Sequence, residues 1–191
     1  MVYGSSCRKK RKAGLQAQNK LASFEEAVLP HLDAAYNLAR WLTRDETDAE
    51  DVVQEAVLRA FRYFGGFHQG MDGRPWLLGI VRNTCYTWMR QNRAQELLVP
   101  LDESNDLESR DLSPEALLLQ SADGQTVRRA LEELPLEFRE VVVLRELEGM
   151  SYKEIAGITD LPLGTVMSRL ARARKRLQKS LTGHMHAEVQ G

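Results

Sequence analysis

Residues 164–177, GTVMSRLARARKRL, gather Arg169, Arg172, Arg174, Lys175 and Arg176 into one short stretch of a chain whose formal net charge is only −1. Cationic groups at this density suit one kind of chemistry: charged hydrogen bonds to phosphates, and, for arginine, a paired contact with a guanine edge. Spacing decides whether they share a face. In a helix, Val166, Leu170, Ala173, Leu177 and Leu181 recur at steps of four and three and form one buried stripe. Opposite that stripe, the N-terminal end presents Thr165, Ser168, Arg169 and Arg172, which could reach bases, while Lys175, Arg176 and Lys179 lie further along and suit phosphates. The bland alternative is a helical hairpin with an ordinary solvated charged face.

What precedes this helix favours the sharper reading. Ser151 and Glu154 make a capping box for a short helix, YKEIAGI, and the tight connection TDLPLG leads into the basic helix. Short helix, turn and basic amphipathic helix together form a helix-turn-helix pattern, whose second helix enters the major groove. Ala156 is small where two helices must cross. Asp160 stands where such turns often carry glycine, and it tolerates a left-handed backbone less easily than glycine but better than most residues.

Charge is segregated along the rest of the chain. Residues 101–116, LDESNDLESRDLSPEA, hold six acidic residues and one basic, whereas Leu161 to Ala187 holds no acid. Such asymmetry suits a protein that meets nucleic acid with one part only. At 191 residues, 43% hydrophobic and 28% charged, the chain has a soluble, globular composition with room for one domain or two small ones. It lacks an apolar run of membrane-spanning length and a signal-peptide pattern, which points to the cytoplasm. Cys7 and Cys85 are the only cysteines, so a disulfide framework and a cysteine metal site are not expected. No cofactor is implied.

The elements read as helices throughout. Residues 1–22, including RKKRK, read as a flexible basic arm. From Ser23, residues Phe24, Ala27, Val28, Leu32, Ala35, Leu38, Ala39 and Leu42 share a face, with Pro30 dividing the helix. The next helix is expected to start on a capping box of Thr47 and Glu50 and to bury Val53, Val57, Phe61 and Phe64. Glycines in GGFHQGMDG break it, and Pro75 is expected to open a further helix that buries Leu77, Ile80, Val81, Thr84 and Trp88. A start at Ser113, a break at Pro135 and a stop at Gly149 frame two more helices. The fold class is therefore all-α: two small helical domains joined by an acidic flexible linker, the second containing the helix-turn-helix. The boundaries are 23–95, a linker over 96–123 that runs into the next helix, 124–182, and a flexible tail over 183–191.

At this point a resemblance is plain. ALEELPLEFREVVVLRELEGMSYKEIAGITDLPLGTVMSRLARARKRL resembles the C-terminal promoter-reading domain of the extracytoplasmic-function (group four) sigma factors of bacterial RNA polymerase. DAEDVVQEAVLRAFRYFGGF followed by RPWLLGIVRNTCYTWMRQNR is similar to that family's N-terminal domain. The resemblance implies that the helix bearing Asp48, Asp51, Gln54 and Glu55 docks on the polymerase beta-prime clamp helices, although the same acids would also suit a solvated helix start. It implies that the loop from Phe67 through His68 to Arg74 takes a flipped minus-10 base, with Asn83, Tyr86 and Arg90 along the opened strand. It further implies minus-35 reading by the basic helix, contact with the polymerase beta flap and an anti-sigma partner. The acidic linker would thread towards the active-site cleft, or serve as a plain spacer.

Two rivals are weighed against this. An enzyme finds little support, since the chain has no phosphate loop, nucleophile elbow or metal-ligand cluster, and His184 with His186 sit in a tail. A stand-alone helix-turn-helix regulator would need a ligand or dimerisation domain over 23–90 and would bind duplex tightly by itself.

Overall fold

A computed structural model describes residues 18–68, 70–96 and 122–188. Among them every regular element is helical. Helix α1 covers 18–28, and Pro30 falls in a 3-10 turn, Leu29–His31, that separates it from α2, Leu32–Thr43. The helical pattern thus begins ahead of Ser23, inside the stretch expected to be a free arm. Phe24, Val28, Ala35, Leu38, Ala39 and Leu42 are buried, as the periodicity predicts.

Between α2 and α3, Glu46–Tyr63, the connection is two residues. Arg44 closes α2 with φ 69°, and Asp45, in extended backbone, caps α3 by accepting from Asp48 N–H at 2.9 Å. The expected cap at Thr47 is therefore corrected. A left-handed Arg44 returns the chain so early that Asp45 is the one extended residue ahead of the helix, and Thr47 already lies in its first turn. The inner stripe of α3 is corrected too. It runs through Ala49, Val52, Ala56 and Ala60, with Val53 and Val57 at its edge and Phe61 exposed. Three alanines let neighbouring helices approach closely, a packing that a search for large apolar residues misses.

After a 3-10 turn at Phe64–Gly66, α4 spans Gly73–Glu96 and starts before Pro75, with the Asp72 carboxylate accepting from Arg74 N–H at 2.9 Å. Helices α2, α3 and α4 pack on one another around Leu77, Leu78, Val81 and Cys85. Burial pushes the Cys85 thiol up to about 12, so it stays protonated.

The second module opens with α5, Ala122–Glu132; the expected start at Ser113 and the acidic linker lie outside the described residues, apart from the linker's two ends. Helix α6, Leu136–Val142, widens into a π turn, Val143–Leu147, and the chain reverses at Gly149, φ 65°. Then come α7, Tyr152–Thr159, and α8, Leu163–Glu188, which continues past residue 182 where a tail was expected. Val166, Leu170 and Ala173 form its buried stripe.

The two modules are not beads on a string. Helix α4 packs against α7, and α2 packs against α6, so that their apolar residues join one continuous core.

Candidate nucleic-acid and polymerase interfaces

The helix-turn-helix is assembled by local chemistry. Ser151 Oγ accepts from Glu154 N–H at 3.3 Å and the Glu154 carboxylate accepts from Ser151 N–H at 2.7 Å, completing the capping box. Those hydrogen bonds hold the Glu154 carboxyl below its ordinary value. Asp160 ends α7 at φ 54°, and Leu161 N–H donates to the Ala156 carbonyl at 3.1 Å, so the turn closes on the small residue. Pro162 then offers its carbonyl to Thr165 and Val166 N–H and starts α8.

On α8 the basic residues fall into two sets. Arg169 pairs with Glu137 at 3.1 Å and keeps 23% of its side-chain exposure. Arg174 pairs with Glu146 at 2.6 Å, which raises its pKa, and the Arg176 guanidinium lies 4.9 Å over the Phe138 ring. These three brace the flanks of the helix against its own module. Ser168, Arg172, Lys175 and Lys179 are exposed, as Arg174 and Arg176 also are, but of these Arg172, Lys175 and Lys179 have neither an ion pair nor a ring contact with a described residue. Thr165 is half-buried, and Ser168 Oγ–H donates to its carbonyl at 3.0 Å. The outward face is thus narrower than the sequence suggests, and Arg172 takes the place that Arg169 shares with Glu137.

On the first module, α3 turns Asp51 and Gln54 outward. Asp48 is half-buried, and its pKa is raised by that burial and by Asp45 and Asp51 beside it. Glu55 is half-buried and pairs with Arg59 at 2.7 Å. Leu58, 60% exposed, lies four residues beyond Gln54 on the same face. An exposed leucine there was missed, although its place in the helical register beside Asp51 and Gln54 is readable from the sequence.

The aromatic loop is largely a packing cluster. Phe67 stacks on Phe64 with centroids 5.3 Å apart and tilts against Trp76 at 4.8 Å, while Phe24 meets Phe61 and Phe64 edge-on. His68 is exposed, with Nδ1 at 3.0 Å from the Gly66 carbonyl. An open pocket between α1 and this loop is lined by Lys20, Ser23, Glu26, Phe64, Phe67 and Met71.

Along α4, Asn83 and Arg90 are exposed. Tyr86 and Arg74 are engaged by the other module: Tyr86 O–H donates to Glu140 Oε2 at 3.2 Å and Arg74 Nη2 to Glu148 Oε2 at 2.6 Å. Burial and the Glu140 charge push the Tyr86 hydroxyl up to about 12. Arg82 lies between them, its Nε 2.5 Å from Glu140 Oε1 and its guanidinium 4.3 Å over the Tyr86 ring. Burial opposes the Arg82 charge, but the hydrogen bond and charge of Glu140 prevail and its pKa ends above the ordinary value. Sequence reasoning missed Arg82, Glu140 and Glu148. A carboxylate between Phe138 and the run Val141–Leu144 is the available signal, because a buried acid needs a cationic partner.

Among the described residues, an all-helical architecture with an exposed basic face on a turn-linked helix and an acidic helix face on the other module suits a DNA-binding transcription protein. Its relatives make the class specific. The profile for sigma-70 region 2 matches residues 27–95, and that for sigma-70 region 4 matches residues 124–177. The chain is 36% identical over 175 residues to the ECF RNA polymerase sigma factor SigE of Mycolicibacterium smegmatis, covering 91% of this chain and 67% of that one. It is 38% identical over 141 residues to the ECF RNA polymerase sigma-E factor of Escherichia coli, covering 70% and 74%. Among solved structures it resembles the sigma factor RpoE in complex with the anti-sigma factor NepR from Bartonella quintana, with TM-score 0.69, 31% identity, and coverage of 84% of this chain and 97% of that one. The chain belongs to the extracytoplasmic-function sigma factors of the sigma-70 family, and it directs promoter-specific transcription by RNA polymerase. Among the described residues no helix is long and apolar enough to cross a membrane.

Proposed function

We propose that this sigma factor divides promoter recognition between its modules. Residues 124–182 read the minus-35 element as duplex, with Ser168 and Arg172 at base edges and Lys175 and Lys179 on phosphates. Residues 23–95 capture the melted minus-10 strand on α4 through Arg74, Asn83, Tyr86 and Arg90, and take an extruded base near Phe67 and His68. Opening a duplex costs a few kcal/mol per unstacked base, and stacking and cationic contacts of this kind offset it. The outward face of α3, with Asp51, Gln54, Leu58 and part of Asp48 and Glu55, docks on the beta-prime clamp helices, while the second module meets the beta flap. The protein works in the cytoplasm, supplies no catalytic residue of its own, and pairs with an anti-sigma factor; a solved relative is in complex with the anti-sigma factor NepR.

The observation that supports this reading most is the solvent-facing row of Arg172, Lys175 and Lys179 on a helix fixed by a complete capping box and a left-handed Asp160. Run-off transcription by bacterial core polymerase on pooled genomic fragments tests it. With the protein added, new RNA 5′ ends are expected, sharing two upstream elements at fixed spacing. If a folded preparation yields no new starts but binds duplex tightly without polymerase, the reading gives way to a stand-alone regulator.

A further inference from the structure

Helix α8 carries apolar side chains that its own module leaves uncovered. Leu163, Met167 and Ala171 recur at steps of four, one above another on the helix surface. All three face solvent, Leu163 at 42% and Met167 at 51% exposure. This ridge runs beside the basic face, apart from the buried stripe of Val166, Leu170 and Ala173. Cations stand on either side of it. Exposed Lys153, in the first turn of α7, lines an open hollow together with Leu163, Arg145 and Tyr152, while Arg172, Lys175 and Lys179 follow on the outward side of α8. From Leu161 to Ala187 the chain holds no acid. A side chain at Gly164 would meet only open space, so the start of the helix can bring its backbone as well as its side chains close to a partner.

Cations on both sides select a polyanion, and the ridge between them selects an apolar group within it. On the base edges of the major groove that group is the C5 methyl of thymine, against which apolar side chains pack. Methionine suits the contact, because its unbranched, polarizable thioether fills irregular gaps. We propose that Met167, with Leu163 and Ala171 in line, is a specificity-determining residue that packs on a thymine methyl of the minus-35 element, beside the base met by Arg172. The proposal rests on the duplex-reading role given to α8 above. Met167 and Arg172 are five residues and ~7.5 Å apart along the helix axis, so the thymine and that base lie within ~3 base-pair steps of about 3.4 Å each. Burial of one methyl is worth ~4-fold in affinity. Uracil, which differs from thymine only in lacking the methyl, forfeits it.

The test uses holoenzyme reconstituted from bacterial core polymerase and the full chain. Selection from a randomised duplex pool first gives the preferred minus-35 sequence, and the same selection with Arg172→Ala locates the base that Arg172 meets. The preferred duplex is then remade with each thymine in turn replaced by uracil, and its binding by wild type, Met167→Ala and Met167→Leu is followed by fluorescence anisotropy. Because Met167 is exposed, neither substitution disturbs the core, which circular dichroism verifies. The expected result is one or two thymines, near the Arg172 base, whose exchange for uracil weakens wild-type binding ~3–5-fold. The same exchange should cost nothing in Met167→Ala and should still cost affinity in Met167→Leu, which keeps an apolar side chain. If no thymine responds to the exchange, or if the responsive ones respond equally in Met167→Ala, the proposal is overturned. If Met167→Ala lowers holoenzyme assembly, or weakens the thymine and uracil duplexes alike, the ridge meets protein and the proposal falls as well. A pool that yields no shared upstream element refutes duplex reading by α8 itself, an outcome distinct from failure at Met167.

Discussion

A methyl group on Gly73 would lie 2.1 Å from the carbonyl oxygen of Ala27, inside any permitted contact and against backbone that cannot swing aside. Gly79, six residues further along the same helix, has open space around that position. Opposite effects of one substitution follow. Gly73→Ala should cost about 1–3 kcal/mol, because α1 or the start of α4 must move, whereas Gly79→Ala should add about 0.5–1 kcal/mol through helix propensity. Urea midpoints of the two variants check this, and equal signs would contradict the close approach of α1 to α4. Residues of this kind divide into those readable from sequence and those that are not. Ser151, Glu154 and Asp160 were readable, because a cap and a left-handed turn are settled within a few residues. Gly73 was read only as part of a glycine-rich break, since what makes it necessary is a carbonyl from 46 positions earlier (73 − 27). Between Asp45 and Thr47, both good caps, the local sequence does not choose, because the left-handed Arg44 ending the previous helix makes the choice.

At the scale of the element, α8 shows what a helical pattern conveys and what it leaves out. Its buried stripe at Val166, Leu170 and Ala173 was legible, as was its solvent-facing basic side. The division of labour among its arginines was not, because Glu137 and Glu146, which hold Arg169 and Arg174, come from α6 and the π turn that follows it. Arg172 is the arginine of α8 with neither an ion pair nor a ring contact among the described residues, and in the proposed reading it is the one that meets a base. Its replacement by alanine should therefore cost about 1–3 kcal/mol on the preferred promoter and flatten discrimination at one or two positions. Lys179→Ala should weaken binding evenly across sequences and lower the salt slope by about 1. Arg169→Ala should act mainly by releasing Glu137, with a smaller effect on selectivity. Promoter-pool binding by the reconstituted polymerase, sequenced for each variant at two salt concentrations, separates the three. A flattened profile for Arg169→Ala beside an intact one for Arg172→Ala would return the reading role to Arg169. On α3 the same periodicity placed the acidic face correctly but centred the buried face on its valines and phenylalanines. Alanine carries too little hydrophobic weight to draw attention, yet it is what a close helix crossing needs.

The whole molecule is where sequence periodicity is weakest, because its deciding contacts join residues far apart in the chain. Arg82 meets Glu140 across 58 positions and Arg74 meets Glu148 across 74, and the Arg44 guanidinium reaches the Glu132 carbonyl at the end of α5. Two modules joined by a linker were legible; their shared core was not. That core has a thermodynamic consequence. All three tryptophans, Trp41, Trp76 and Trp88, belong to the first module, whereas helical ellipticity reports both. If burial between α4 and α7 and between α2 and α6 couples the modules, tryptophan fluorescence and ellipticity should pass through one coincident urea transition in the wild-type chain, as two-state unfolding requires. Glu140→Gln, Glu148→Gln should separate the two curves. The amides leave two arginines uncompensated only while the modules are together, so the penalty falls on closure and each module's own packing is spared. Fluorescence should then report the three-helix core of the first module alone, while ellipticity becomes a sum of two steps. Non-coincident curves already in the wild type would mean that the ion pairs lie across an interface too weak to couple its sides.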